Sequence, residues 1–463
     1  MGISRRTFLK RTATGLAGAA AAGSCAGGAR KPNLVYLFSD EHRWQSMSFT
    51  EMPALRTPNM ASLAQQGVSF NYCISNYPLC SPYRAMLMTG RWPFEQGVIR
   101  NDVELPPGEN TLGKVFKAAG YDTAYIGKWH LGGVRAEPFG FDLSLIWTED
   151  NTHWDKSRYH PREGQPVQPK GYNATLMTDQ ALAFIDEHRD RPFFLMLSWN
   201  PPHLDFLDAP EGKKALYLEG SLPWRKNVPP GTRQDSPAEP ATWDQSRWPD
   251  CQGYHSHISA IDDELGRVLA KLDALGIAND TIVVYSSDHG SMMGSHGLRA
   301  KNQPYDEAIR VPFLVRWPRG VPAGRTADEL LGTIDLMPTL CGLASIPIPS
   351  TCVGQDFSPL LRGGKGPDPE AQFLMHIWKK DVSGDEPAPP PLFRGLRTHR
   401  YTYAVRPEDP WLLFDNQEDP YQMLNLIDDP AQRTLREKLN GMLSRFIEEA
   451  HDPFVLPKPA NKT

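Results

Sequence analysis

Four apolar runs that each end in a polar cluster constrain this chain more than any other feature. Asn33–Ser39 (NLVYLFS) leads into Asp40-Glu41-His42, and Ala124-Tyr125-Ile126 leads into Gly127-Lys128-Trp129-His130. Phe193–Ser198 (FFLMLS) precedes Asn200-Pro201-Pro202-His203, and Thr281–Tyr285 (TIVVY) precedes Ser287-Asp288-His289-Gly290. A run that is apolar at nearly every position reads as a strand buried on both faces, the habit of a mostly parallel sheet covered by helices. Val311–Val315 reads as a further strand. Helical spacing appears at Thr111–Ala119, Ala174–His188 and His257–Ala274. In the last, Ile258, Ile261, Leu265, Val268, Leu269 and Leu272 share one face and Gly276 follows the end. Ligands of open α/β sheets bind beyond the carboxyl ends of strands, so the four clusters are expected to meet in one pocket.

The chain has 463 residues, enough for one large α/β domain and a smaller one. Loop compositions at Gly363-Gly364-Lys365-Gly366-Pro367 and Pro387–Pro391 mark a change of organisation near residue 360. Beyond it, Phe373–Trp378, Leu396–Val405 and Leu412–Phe414 read as short antiparallel strands, and Ala431–Glu449 as a closing helix. The expectation is an α/β fold: a large, mixed, mostly parallel sheet sandwiched by helices over 31–360, then a smaller α+β subdomain with an antiparallel sheet over 361–463. The 43 prolines point to many ordered loops. A net charge of −5 argues against nucleic acid as a partner.

Residues 1–30 have the layout of an export signal. Arg5 and Arg6 form a twin arginine, and an Ala/Gly run follows to Ala22. That run is too short and too poor in Leu and Ile for a membrane span. Ala22-Gly23-Ser24-Cys25 is similar to a lipoprotein cleavage box, so Cys25 is either removed or lipid-bearing. Export by the twin-arginine machinery to a bacterial periplasm or cell surface is expected.

The polar clusters sort by chemistry. Asp40, Glu41 and Asp288 are hard oxygen donors suited to Ca²⁺ or Mg²⁺, whereas zinc wants more His or Cys than His289 alone provides. Arg84, Lys128, His130, His203 and Lys301 supply the charge and protons that a tetrahedral oxyanion requires. Any one pair of these usually belongs to a solvated turn, and His42 and His296 read as structural. The joint pattern indicates a hydrolase of an anionic ester.

Cys80-Ser81-Pro82-Tyr83-Arg84, followed by Leu87-Met88-Thr89-Gly90-Arg91, closely resembles the signature of type I, formylglycine-dependent sulfatases of the alkaline phosphatase superfamily. The other clusters match in order, as do G-S-H-G-L-R-A-K at 294–301, D-L-M-P-T-L at 335–340 and L-F-D-N-Q-E-D-P at 413–420. The resemblance implies that a formylglycine-generating enzyme oxidises Cys80, and that the hydrated aldehyde attacks sulfur beside a bound Ca²⁺, with Mg²⁺ or Mn²⁺ as alternatives. It implies Asp40, Glu41, Cys80, Asp288 and His289 as the metal set. Arg84 and Lys128 would hold formylglycine and sulfate, His130 would assist sulfate elimination, and His203 and Lys301 would bind sulfate and protonate the leaving alcohol. This chain departs from the common pattern in Tyr83 after the motif proline, in Glu41, and in His289 as an atypical ligand for a hard cation.

The expected substrate is a sulfated carbohydrate. Trp129, Trp154, Trp199, Trp224, Trp243 and Trp248 are candidates for stacking on sugar rings. Related enzymes with the same motif hydrolyse phosphonate monoesters or phosphodiesters, the alternative activity. A glycan-binding protein with a decayed site is a third reading, which the intact set from Asp40 to Lys301 disfavours. Of the remaining cysteines, Cys341 and Cys352 are the nearest candidate disulfide pair.

Overall fold

In the computed structural model, residues 30–147, 152–155, 158–162, 164–230, 243–378 and 391–457 are described. Residues 1–29 of the expected export signal, Cys25 among them, lie outside the described residues. So does most of the Pro387–Pro391 segment.

The four apolar runs become four adjacent parallel strands: β1 (Asn33–Asp40), β2 (Asp122–Lys128), β3 (Phe193–Pro202) and β4 (Thr281–Ser287), side by side in the order β4-β1-β3-β2. They form the middle of a nine-stranded sheet. Beyond β2 lie Leu143–Trp147, parallel, and Tyr159–Pro161, antiparallel. Beyond β4 lies Phe313–Arg316, antiparallel to both β4 and Val68–Phe70, and then Arg325–Ala327. The sheet is thus mixed and mostly parallel.

Both faces of the sheet are covered, which is why its central strands read as unbroken apolar runs. On β1, Leu34, Tyr36 and Phe38 enter one core with Phe194, Met196, Ile282 and Val284. Val35 and Leu37 point the other way and join Leu195, Leu197, Val283 and Tyr285. Each buried Leu, Val or Phe is worth about 1.5–3 kcal/mol of apolar transfer, so both faces stabilise the strand order that aligns the four polar ends.

Three elements differ from the sequence expectation. The helix expected from His257 begins at Trp248 and runs 27 residues to Ala274. Its first turns hide their polar residues by local bonding: the His255 ring bonds the Cys251 carbonyl (2.7 Å), and Ser256 donates to the Gln252 carbonyl (2.6 Å). Val311–Val315 is split at Pro312, which has no N–H for a ladder. Arg310–Val311 pairs with Cys73–Ile74 in a separate small sheet, and Phe313–Arg316 joins the large one. Leu396–Val405 is a hairpin of Phe393–Thr398 and Tyr401–Val405.

That hairpin lies between Ala371–His376 and Pro410–Asp415 in a four-stranded antiparallel sheet. Helix Arg433–Glu449 packs Leu439, Met442, Leu443 and Ile447 onto Phe373, Leu396, Tyr403 and Leu413. Met86 and Trp92 from the larger part of the chain enter the same cluster. Arg397 clasps both oxygens of Asp306 at 2.7 and 2.9 Å, joining the two parts again.

Cys341 and Cys352 do not form a disulfide. Both are free thiols, Cys341 buried in helix Leu336–Ala344 and Cys352 with its sulfur 3.6 Å from the Thr89 carbonyl. Of the six candidate stacking tryptophans, Trp129, Trp199, Trp243 and Trp248 are core residues and Trp224 packs against the core, while Trp154 is 39% exposed. Among the described residues no helix is long and apolar enough to cross a membrane.

Candidate active site

The carboxyl ends of β4, β1, β3 and β2 deliver Asp288 and His289, Asp40 and Glu41, His203, and Lys128 to one edge of the sheet. β2 reaches that position only with glycine before the lysine. A Cβ on Gly127, at φ 110°, would stand 2.0 Å from the Ser198 carbonyl of β3. Gly290 meets a similar limit after His289, since its Cβ would stand 1.9 Å from the Glu307 carbonyl. Glu41 (φ 75°) and His130 (φ 54°) adopt the left-handed backbone without being glycine, strain of the kind that clusters at functional sites.

Facing this edge is the first turn of helix Cys80–Thr89, whose ten residues are all buried. Cys80 opens the helix, so the positive end of the helix dipole lies at its side chain and favours an anion there. Leu79, the N-cap, has no side-chain bond to the turn. Pro82 removes one unpaired N–H, and Asn101 accepts the Ser81 N–H at 3.0 Å. Arg84 sits one turn on, at i+4, and therefore shares the face of Cys80. Its guanidinium reaches Asp40 Oδ2 (3.3 Å), Asp288 Oδ2 (3.0 Å), the Lys128 carbonyl (2.7 Å) and Ser198 Oγ (2.8 Å). Ser81 Oγ donates to the His130 carbonyl at 2.6 Å, tying the helix to the loop after β2.

Around the Cys80 sulfur the charges divide into two sides. On one, His289 Nε2 is 3.2 Å away and Asp40 Oδ1 3.8 Å. Asp40, Cys80, Asp288 and His289 each offer a ligand atom, all within 4.8 Å of one another. The His289 Nδ1 lies 3.0 Å from the Gly290 carbonyl; donation there leaves Nε2 free to ligate. On the other side, Lys128 Nζ is 2.5 Å from Asp40 Oδ2, and Lys301 Nζ is 2.9 Å from Glu41 Oε2. His203 Nε2 lies 3.6 Å from the same Glu41 oxygen.

The protonation states follow from burial against charge. Burial opposes an ionised Asp40, yet Lys128, His203, Arg84 and Lys301 hold its pKa well below the usual range. Burial and Asp40 oppose a Cys80 thiolate, but Lys301, Lys128 and His289 prevail and lower it strongly. The position thus accepts a negative atom. His203 is kept neutral by burial and by the nearby Lys301 and Lys128. Burial disfavours a charged His289, but Asp288 and Cys80 hold its pKa up at about 9, so the spot where its Nε2 points favours positive charge. The donor set of two carboxylates, one imidazole and the atom carried by residue 80 fits a divalent cation at that spot. Donors left without a partner among the described residues fit an oxyanion beside it: Arg84 Nε and Nδ2 of the fully buried Asn200, with His130 Nδ1 also unpaired.

Asp40, Glu41, Cys80, Arg84, Lys128, His203, Asp288, His289 and Lys301 meet here in two groups, and His130 joins through its carbonyl. The Glu41 carboxylate stands with Lys301 and His203, apart from the Asp288–His289 side. His42 and His296 are held elsewhere. His42 bridges Tyr285 Oη and the Ser46 carbonyl, each at 2.8 Å, and burial pushes its pKa down to about 4. His296 stacks on Tyr305 with ring centroids 4.2 Å apart. Sequence reasoning missed Ser198, Asn101 and Asn200. Ser198 and Asn200 lie within or beside the third apolar run at alternate positions, a period-2 signal that would have placed them on one face.

A family model described as Sulfatase matches residues 32–346, and one described as N-sulphoglucosamine sulphohydrolase, C-terminal, matches residues 294–449. An ulvan-active sulfatase of Formosa agariphila is 36% identical over 92% of this chain and 82% of its own length. An endo-4-O-sulfatase of Bacteroides thetaiotaomicron is 29% identical over 93% and 94% of the two chains. A solved structure from Bacteroides thetaiotaomicron, titled for the metabolism of multiple glycosaminoglycans, superposes with a TM-score of 0.81 at 28% identity, covering 92% of this chain and 97% of that one. The family match takes in all four strand ends and the helix opened by Cys80, and the relatives extend it over nine-tenths of the chain: this protein belongs to the sulfatase family and is a sulfuric ester hydrolase of the alkaline phosphatase fold.

Proposed function

We propose that this chain removes sulfate from a sulfated carbohydrate outside the bacterial cytoplasm. In this reading residues 1–30 direct export through the twin-arginine machinery, 31–360 carry the catalytic site, and 361–463 form the smaller subdomain. The observation that supports it best is the divided pocket around Cys80, with a cation-favouring side and an oxyanion-favouring side on opposite flanks of one buried atom.

Asp40, Asp288 and His289, with the oxygen of a modified residue 80, would hold Ca²⁺, while the Glu41 carboxylate stands in a separate group with Asp40 and His203. Bound there, the ion neutralises negative charge on the transferring group. Formylglycine at position 80, once hydrated, would supply the nucleophilic hydroxyl toward sulfur, and the charged residues around it would receive and return its protons. The other residues place charge and protons. Arg84 braces Asp40 and Asp288 and keeps its Nε without a partner among the described residues. Lys128 and Lys301 hold sulfate oxygens. His203, neutral and close to Lys301, relays a proton to the departing alcohol oxygen, and His130 takes one from residue 80 through its unpartnered nitrogen.

Carbohydrate is favoured as the substrate by the relatives: the ulvan-active sulfatase, the endo-4-O-sulfatase and an N-acetylglucosamine-6-O-sulfatase all carry carbohydrate or position names. The test uses protein whose residue 80 is verified as formylglycine by mass spectrometry, screened for sulfate release from defined sulfated mono- and oligosaccharides. Release from a subset, abolished by chelation and restored by Ca²⁺, is expected. No release from any sugar, together with hydrolysis of a nitrophenyl phosphonate, would overturn it.

A further inference from the structure

A second group of potential ligands shares no residue with the strand-end groups and draws Asp205 and Asp208 from the loop after His203. His153 and His257 are completely buried, and Asp208 stands between them with a quarter of its side chain open to solvent. His153 Nδ1 is 2.5 Å from Asp208 Oδ1, and His257 Nε2 is 3.4 Å from the same oxygen. A fourth donor, the Asp205 carbonyl, is 3.1 Å from His257 Nε2. Three separate parts of the chain meet here: segment 152–155, the loop after β3, and helix Trp248–Ala274. We infer that His153, Asp208, His257 and the Asp205 carbonyl form a zinc-binding site that staples these segments together.

Ligands bonded to one tetrahedral Zn²⁺ at about 2.0–2.1 Å stand about 3.3 Å apart. The His257–Asp208 and His257–Asp205 spacings already match that figure. His153 must withdraw from Asp208 by less than about 1 Å, and its short contact is the kind a bridging proton makes before a metal replaces it. Two imidazoles, one carboxylate and one carbonyl suit zinc better than the hard cations favoured by the catalytic acids. The surroundings supply the outer support that metal-bound histidines need. Tyr172 Oη is 2.7 Å from His257 Nδ1 and fixes that ring, leaving Nε2 toward the site. The other Asp208 oxygen accepts the His153 backbone N–H at 2.9 Å, and Trp154 Nε1 donates to the Asp208 carbonyl at 2.6 Å. The open edge of Asp208 gives the ion an entry path. Segment 152–155 has no regular secondary structure, and a metal would supply the fixation that ladder bonds do not.

The test is zinc uptake by the whole protein after EDTA treatment and desalting, read by elemental analysis and by titration with ZnCl₂. An Asp288→Asn variant separates this site from the strand-end ligands. The expected result is one tightly held zinc per chain in the wild type and in Asp288→Asn, with affinity at least tenfold weaker in His153→Gln and His257→Gln. Cobalt substitution should give tetrahedral visible bands that vanish in the same two variants. The inference is overturned if the wild type retains no zinc, if zinc is lost in Asp288→Asn, or if both histidine variants bind as the wild type does. Should His257→Gln fail to fold by circular dichroism, His153→Gln and the wild-type stoichiometry still decide. Sulfatase activity is not the readout, so this result stands apart from the substrate assignment.

Discussion

Two buried arginines, Arg84 and Arg397, each meet carboxylates in the interior, yet one cluster is closed and the other is open. Arg397 uses all three of its nitrogens: Nε and Nη2 on Asp306, and Nη1 on the Thr398 and His399 carbonyls. Arg84 spreads two nitrogens over two acids, a carbonyl and a hydroxyl, and leaves Nε without a partner among the described residues. Near it, Asn200 and His130 also have unused polar atoms. An unmet buried polar group costs about 1–3 kcal/mol. The Arg397 cluster serves the join between the two sheets; the Arg84 cluster retains unmet groups that a bound substrate would complete.

Breaking each cluster should therefore give opposite results. Cys80→Ala is expected to lower turnover at least about 10⁴-fold, with the melting temperature nearly unchanged, because the site loses its reacting atom and little packing. Turnover measured beside a thermal melt checks it. Lys128→Ala should cost about 10³-fold in kcat/KM, since a buried donor to a charged oxygen is removed. Sulfate inhibition should weaken in parallel, and unchanged inhibition would place Lys128 outside the anion site.

Arg397→Ala reverses the pattern. It strands the buried Asp306 carboxylate and should destabilise by about 3–5 kcal/mol, read by urea unfolding, while turnover per folded molecule stays within about twofold. The smallest effect concerns His376, buried in the antiparallel sheet with its ring bonded to the Pro391 carbonyl at 2.9 Å. Burial lowers its pKa from 6.5 to about 4. The unfolded chain thus takes up the proton first as pH falls, and stability is lost between pH 6.5 and about 4, by at most about 3 kcal/mol. His376→Gln should flatten that part of the stability–pH curve and leave stability at pH 8 within about 1 kcal/mol.

The large sheet and its rim were legible because the four central strands are covered on both faces, so their apolar runs are continuous and their ends are abrupt. Cys80 and Arg84 were legible through the C-S-P-Y-R motif and the family resemblance it carries, whereas the helix they open was not read from the sequence. The Glu41–Lys301 contact spans most of the chain and has no local signature. The same is true of the His153, Asp208 and His257 cluster, whose members come from segments with no shared period. The start of the long helix at Trp248 was hidden by polar residues that bond back to their own backbone. Cys341 and Cys352 are near in sequence, but helix Leu336–Ala344 turns one thiol into the core while the other faces the Thr89 carbonyl.

The burial of helix Cys80–Thr89 sets an order of events. Cys80 is 1% exposed, and the residues that follow it through Thr89 are enclosed with it. An enzyme that oxidises residue 80 would need access to a thiol that the finished fold buries. An enzymatic oxidation of residue 80 would therefore have a deadline, falling on the growing or still-unfolded polypeptide before the sheet closes over it. A copy that folds first is locked in the thiol form for the lifetime of its native state.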